Sequence, residues 1–136
     1  MTTQISTPDG SVSFGSVLVV EDEALVRMVA VDLLEMLGLH AVEASSAGEA
    51  VDMMRAADPR ICAALVDIGL PDRRGDILAG ELHAMDSELR IIIASGYGED
   101  ALDGPFREDS RIAFLSKPYG LEQLRDRLQT LGVASA

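Results

Sequence analysis

The chain has 136 residues, 48% of them hydrophobic and 25% charged, with a formal charge of −12 from 11 basic and 23 acidic side chains. That length and apolar content suit one domain with one core, needing neither disulfides nor a structural metal. The acidic balance opposes direct binding to nucleic acid or anionic lipid, whose recognition rests on Lys and Arg. A single cysteine and the lack of any apolar run near the ~18 residues of a membrane span point to a reducing, cytoplasmic setting with no membrane contact.

Residues 1–16, "MTTQISTPDGSVSFGS", are polar and lack basic residues, so a flexible leader is expected, with no targeting signal. The run "VLVV" then reads as a buried strand, yet Glu21, Asp22 and Glu23 follow at once. Adjacent carboxylates at the mouth of a core repel one another unless something positive sits among them. A helix over about 23–37 aligns Val26, Val29, Ala30, Leu33, Leu34 and Leu37 for burial and stops at Gly38. Leu25, Met28 and Met36 widen its apolar surface, either as a docking patch or as side chains lying under loops or singly exposed.

"LHAVEA" is the second strand, and a helix over Ala47–Ala56 follows, capped by Ser45 or Ser46. The third strand, "ICAALVD", carries Cys62 as a small buried hydrophobe and closes on Asp67. Arg73 and Arg74 after Pro71 and Asp72 read as a solvated turn, with steering of an incoming phosphate as the alternative. A third helix spans about Asp76–Met85, and "RIIIAS" ends at Ser95. The segment "GEDALDGPFREDS" holds Gly104 and Pro105 at its middle, so a fourth helix there is short, broken or mobile. "RIAFLS" is the fifth strand and leads into Lys117; the last helix aligns Leu121, Leu124, Leu128 and Leu131 before a short tail at 132–136.

Five short apolar runs alternating with helical spacing imply an α/β fold, a doubly wound five-stranded parallel sheet with helices on both faces. Ligands of such sheets collect at the carboxyl ends of the strands. If the first and third strands are neighbours, Glu21, Asp22 and Asp67 face one crevice and suit a hard divalent cation such as Mg2+, the alternative being three solvated acids at loop starts. Ser95 and Lys117 end two further strands at that rim. Acids with a metal, a hydroxyl and a lysine around one carboxylate describe phosphoryl transfer to that carboxylate.

In this combination residues 17–131 resemble the receiver domains of two-component response regulators. The resemblance implies the flavodoxin-like topology with strand order 2-1-3-4-5, Mg2+ held by Glu21, Asp22, Asp67 and the Gly69 carbonyl, and Asp67 as phosphoacceptor. It further implies Ser95 as switch hydroxyl, Phe114 as switch aromatic, Lys117 as the cation paired with Asp67, and Pro118 after a cis peptide. The implied partners are a sensor histidine kinase or histidine phosphotransfer protein upstream and an effector protein in trans downstream; the apolar width of the first helix offers Leu25 and Met28 as a docking surface. Phosphorylation would reshape the surface of the fourth helix, fifth strand and last helix.

Glu at 21, Ser at 95 and Phe at 114 depart slightly from the commonest pattern without removing a chemical capability. Tyr97 reads as a shield for the acyl phosphate or as a rim aromatic, while His40 and His83 read as bystanders. A receiver segment of a hybrid sensor kinase is the alternative within the family. Outside it stand a Mg2+-dependent aspartyl-phosphate phosphohydrolase, disfavoured because Gly69 occupies the place of a second Asp, and a flavodoxin-like electron carrier, disfavoured because "EDEA" replaces a Ser/Thr/Gly-rich loop.

Overall fold

The computed structural model describes residues 5–6, 12–13, 15–56, 60–96 and 109–133. Beyond a two-residue antiparallel pair, Ile5–Ser6 with Val12–Ser13, the described residues form one five-stranded sheet. Its elements are β1 (Ser16–Val20), α1 (Ala24–Met36), β2 (Ala41–Ala44), α2 (Ala47–Ala56), β3 (Ile61–Asp67), α3 (Gly75–Met85), β4 (Arg90–Ser95), β5 (Ile112–Ser116) and α4 (Leu121–Thr130). Every pairing is parallel, as the apolar runs predict, and the order is β2-β1-β3-β4-β5, as the resemblance implies.

Residues of β1 and β3 are buried throughout, because strands in the middle of a parallel sheet are covered on both faces and therefore read as continuous apolar runs. Alternation along each strand divides the core. Leu18, Val20, Val66, Ile91 and Ile93 meet Leu78 and Leu82 of α3 and Ala47 and Ala50 of α2. Val17, Val19, Leu65 and Ile92 meet Ala30 and Leu34 of α1 and Leu124 and Leu128 of α4. Cys62 is buried, and its thiol donates to the Gly15 carbonyl at 3.3 Å.

The helices fall where their stop and start signals place them. Gly38 takes φ +81°, a left-handed conformation that costs glycine little, and the Leu39 N–H returns to the Leu34 carbonyl at 3.0 Å to close α1. Of the two serines before α2, Ser46 is the cap: its hydroxyl accepts the Glu49 N–H at 3.2 Å, while the Glu49 carboxylate takes the Ser45 N–H and hydroxyl. Beyond α4 the chain folds back, with the Val133 N–H on the Leu128 carbonyl and Val133 buried.

Packing expectations need correction on two helices: of the face expected on α1 only Ala30 and Leu34 are buried, while Val26, Leu33 and Leu37 are half-buried. Val29 is 53% exposed, because α1 presents Ala30 and Leu34 to the sheet and the rotation that buries them turns Val29 outward beside Leu25, Met28 and Met36. Leu121, at the start of α4, is only half-buried, since the helix settles on Leu124 and Leu128. Tyr97 and most of the broken-helix segment, residues 98–108, lie outside the described residues.

One glycine is demanded by close approach. A Cβ on Gly75 would lie 2.3 Å from the Asp67 carbonyl oxygen, so only glycine lets α3 start against the end of β3. On the same helix, Gly80 is exposed with nothing within 4 Å of its would-be Cβ. Gly75→Ala should therefore cost about 1–3 kcal/mol through overpacking, whereas Gly80→Ala should stabilise by roughly 0.5–1 kcal/mol through helix propensity. Urea unfolding of both variants checks the opposite signs.

Candidate functional site

The strand ends bring the sequence-singled residues together. The Glu21 N–H pairs with the Ala44 carbonyl at 3.0 Å, continuing the β1 ladder one residue and drawing the side chain down to 4% residue exposure. Asp67 closes β3 opposite Ala94, and Ser95 lies one residue further along β4, both buried. The Lys117 N–H binds the Ser95 carbonyl at 3.0 Å, and the Lys117–Pro118 peptide is cis, as the resemblance implied.

The Lys117 ammonium donates at 2.8 Å to Glu21 Oε1 and at 2.8 Å to Asp67 Oδ1. This is the positive group that the acidic run required. Carboxylate oxygens of Glu21, Asp22 and Asp67 all lie within 4.8 Å of one another, with Asp22 at the exposed side. Gly69 sits against the other Asp67 oxygen, its would-be Cβ 3.8 Å from Oδ2. An all-oxygen set of this kind, part buried and part open to solvent, fits a hard divalent cation that keeps some of its waters.

Burial pushes the Glu21 carboxyl above its ordinary range, and the negative charge of Asp67 adds to that, against the lowering by hydrogen bonds from Lys117 and the Glu23 N–H. Burial pulls the Lys117 ammonium down, but its hydrogen bonds to Asp67 and Glu21 prevail and its pKa rises. Lys117 therefore stays charged at neutral pH.

The structure adds groups that sequence reasoning passed over. Arg27 of α1 donates to the Glu21 carbonyl at 2.7 Å and pairs with Glu43 at 3.1 Å, tying the acidic loop to β2. Its signal was present, since no other Lys or Arg precedes Arg55. Asp72 binds the first N–H groups of α2. Phe114 is half-buried on the face covered by α2 and α3, and its carbonyl accepts from Arg127 Nε of α4 at 2.6 Å. Arg73 pairs with Glu81 at 2.6 Å and Arg74 with Asp76 at 3.1 Å, so both guanidinium groups of the expected solvated turn are engaged by nearby carboxylates. His40 pairs with Ser16 at 2.8 Å and His83 with the Leu89 carbonyl at 2.9 Å, away from the acidic cluster.

Leu25, Val26 and Val29 line an apolar groove of about 480 Å³ with Lys117, Pro118 and Tyr119. Burial pushes the Tyr119 phenol up to about 12. Because the unfolded chain loses that proton near the ordinary value of 10, Tyr119 should make stability fall between about pH 10 and 12. Absorbance titration of the native protein against Tyr119→Phe should show the missing phenol ionising near 12.

The family model of the response regulator receiver domain matches residues 17–129. The chain is 36% identical over 109 residues to the sensor kinase CckA of Brucella abortus, covering 80% of this chain and 12% of that protein, so it spans a small part of that relative. It is 26% identical to the chemotaxis protein CheY of Bacillus subtilis, covering 82% of this chain and 92% of CheY. A CheY-like receiver domain from Methylobacillus flagellatus superposes with a TM-score of 0.75 at 29% identity, covering 88% of this chain and 99% of that one. With the parallel sheet, the acidic cluster and the lysine at its rim, these similarities establish that the chain belongs to the receiver domains of two-component signalling.

Proposed function

We propose that Asp67 accepts a phosphoryl group from a phosphohistidine on a sensor histidine kinase or histidine phosphotransfer protein, and that the phosphorylated 17–131 unit regulates an effector protein in trans. The observation that carries this reading is the Lys117 ammonium held at 2.8 Å from Asp67 inside a cluster of carboxylates. An Asp67 oxygen attacks phosphorus in line; the O–P bond forms as the P–N bond breaks, and the imidazole leaves with the electron pair. Lys117 orients the acceptor carboxylate and offsets charge on the transferred group. Glu21, Asp22, Asp67 and the Gly69 carbonyl would hold Mg2+, which when bound neutralises phosphoryl oxygens.

The Ser95 hydroxyl then moves to donate to a phosphoryl oxygen, and Phe114 turns into the space it leaves. Phe114 has no hydroxyl, so packing alone drives that turn. The readout surface among the described residues is β5 with α4. The chain acts only on itself, catalysing its own phosphorylation and slow dephosphorylation; Gly69 in place of a second Asp counts against turnover of a cellular substrate. The formal charge of −12 argues against direct nucleic-acid contact, and no helix among the described residues is long and apolar enough to cross a membrane. A cytoplasmic setting fits the single cysteine, Cys62. The likeness to one part of the CckA sensor kinase supports a receiver segment of a hybrid kinase as the second reading.

Leu25, 73% exposed, and Met28, 52% exposed, form the docking surface for the phosphodonor protein. The groove beside Leu25 runs up to Lys117, so a protein that delivers a phosphoryl group to Asp67 covers it. Replacing both residues with Asp should slow transfer from the partner by about 10-fold, the scale of losing one ~1.4 kcal/mol apolar contact. Phosphorylation by a small acyl phosphate should be spared; equal loss in both assays would refute docking here. Intact mass after incubation with Mg2+ and acetyl phosphate tests the acceptor itself. One phosphate adduct is expected on the native chain and none on Asp67→Asn, and stoichiometric labelling of that variant would overturn the assignment.

A further inference from the structure

Helix α2 begins with N–H groups that its own cap does not reach. The Ser46 hydroxyl takes the Glu49 N–H and the Ser46 carbonyl takes that of Ala50, which leaves the donors of Ala47 and Gly48. Both go to one carboxylate from another loop: Asp72 Oδ1 accepts from Ala47 at 3.0 Å and Oδ2 from Gly48 at 2.9 Å. Asp72 is exposed, yet each of its oxygens is committed to a backbone more than twenty residues away in sequence.

The loop that carries Asp72 also carries Gly69. It leaves β3 at Asp67 and is closed at its base by the Gly75 N–H on the Ile68 carbonyl at 2.9 Å, with Leu70 buried beneath it. Between Leu70 and Gly75 the bonds of Asp72 to α2 join this loop to the neighbouring β2–α2 turn. On the far side Arg73 pairs with Glu81, an attachment of the loop to α3 that does not reach α2.

We propose that Asp72 is a positioning residue for the acceptor site: by clamping the β3–α3 loop to the start of α2, it presets the Gly69 carbonyl for a divalent cation that Asp72 itself does not touch. The proposal rests on the phosphoacceptor reading above and deepens it. A loop ordered in advance spares the cation the entropy of ordering it, so the clamp acts on affinity for the metal. The two helix N–H groups hold the Asp72 carboxyl below its ordinary range, which keeps it ionised and able to accept both bonds at neutral pH. Asp72→Asn keeps the size and one acceptor oxygen, so it retains part of the clamp; Asp72→Ala removes it.

The test is Mg2+ binding by isothermal titration calorimetry on the native protein, Asp72→Asn and Asp72→Ala, together with the rate of phosphorylation by acetyl phosphate at saturating Mg2+. The expected result is an affinity weaker by about 10-fold in Asp72→Ala, the low end for losing outer-sphere support of a metal site. Asp72→Asn should fall between the two, and the saturated rate should be unchanged in both variants. A general loss of fold would lower the saturated rate as well and would appear in the urea midpoint. Asp72→Ala binding Mg2+ as tightly as the native chain would overturn the proposal, as would Asp72→Asn binding no better than Asp72→Ala. Native protein that bound no Mg2+ would instead overturn the phosphoacceptor reading, and the proposal with it.

Discussion

The ammonium of Lys117 is the contact on which the rest of the site depends. Two largely buried carboxylates, Glu21 and Asp67, end neighbouring strands, and without a cation their repulsion and lost hydration would both oppose folding. Lys117 reaches both at 2.8 Å from the end of β5, across sequence separations of 96 and 50 residues. Removing one partner from a buried ion pair costs roughly 3–5 kcal/mol. Here the figure is smaller, because the Lys117 side chain keeps 25% exposure to solvent. The contact ties β1, β3 and β5 at one rim and keeps the acidic pocket compatible with the fold.

That rim is held by a series of backbone devices rather than by the acids alone. Gly75 lets α3 start in contact with the Asp67 carbonyl, and Arg27 fastens the Glu21 carbonyl to the neighbourhood of β2. Asp72 joins the β3–α3 loop to α2. Each device acts through a main-chain group, which leaves the carboxylate oxygens of Glu21 and Asp67 available for the cluster. The apolar groove between α1 and Tyr119 opens beside the same lysine, so the groove and the acidic cluster share Lys117 as a boundary.

Much of this was legible in the sequence because its signals are local. Continuous apolar runs mark central parallel strands, and Gly38 and Ser46 mark helix ends by conformation and hydrogen bonding that need no distant partner. The residues that close the strands, Glu21, Asp67, Ser95 and Lys117, could be assigned to one rim because a parallel sheet puts all carboxyl ends on the same side. Asp72 and Arg127 were not legible as parts of the architecture, since each acts on a main-chain group contributed by another element.

By itself, then, the sequence determined the α/β alternation, the parallel sheet and the set of acids, hydroxyl and lysine at its edge, because hydrophobic period and strand-end chemistry are written along the chain. The tertiary structure alone decided how α1 is rotated, which left Val29 outside with Leu25 and Met28, and which carboxylate oxygens Lys117 takes. It alone paired Asp72 with α2. The physical reason is the same in each case: a helix's rotation and a side chain's choice of partner are set by packing and hydrogen-bond competition among elements far apart in sequence, and those distances do not exist until the sheet has formed.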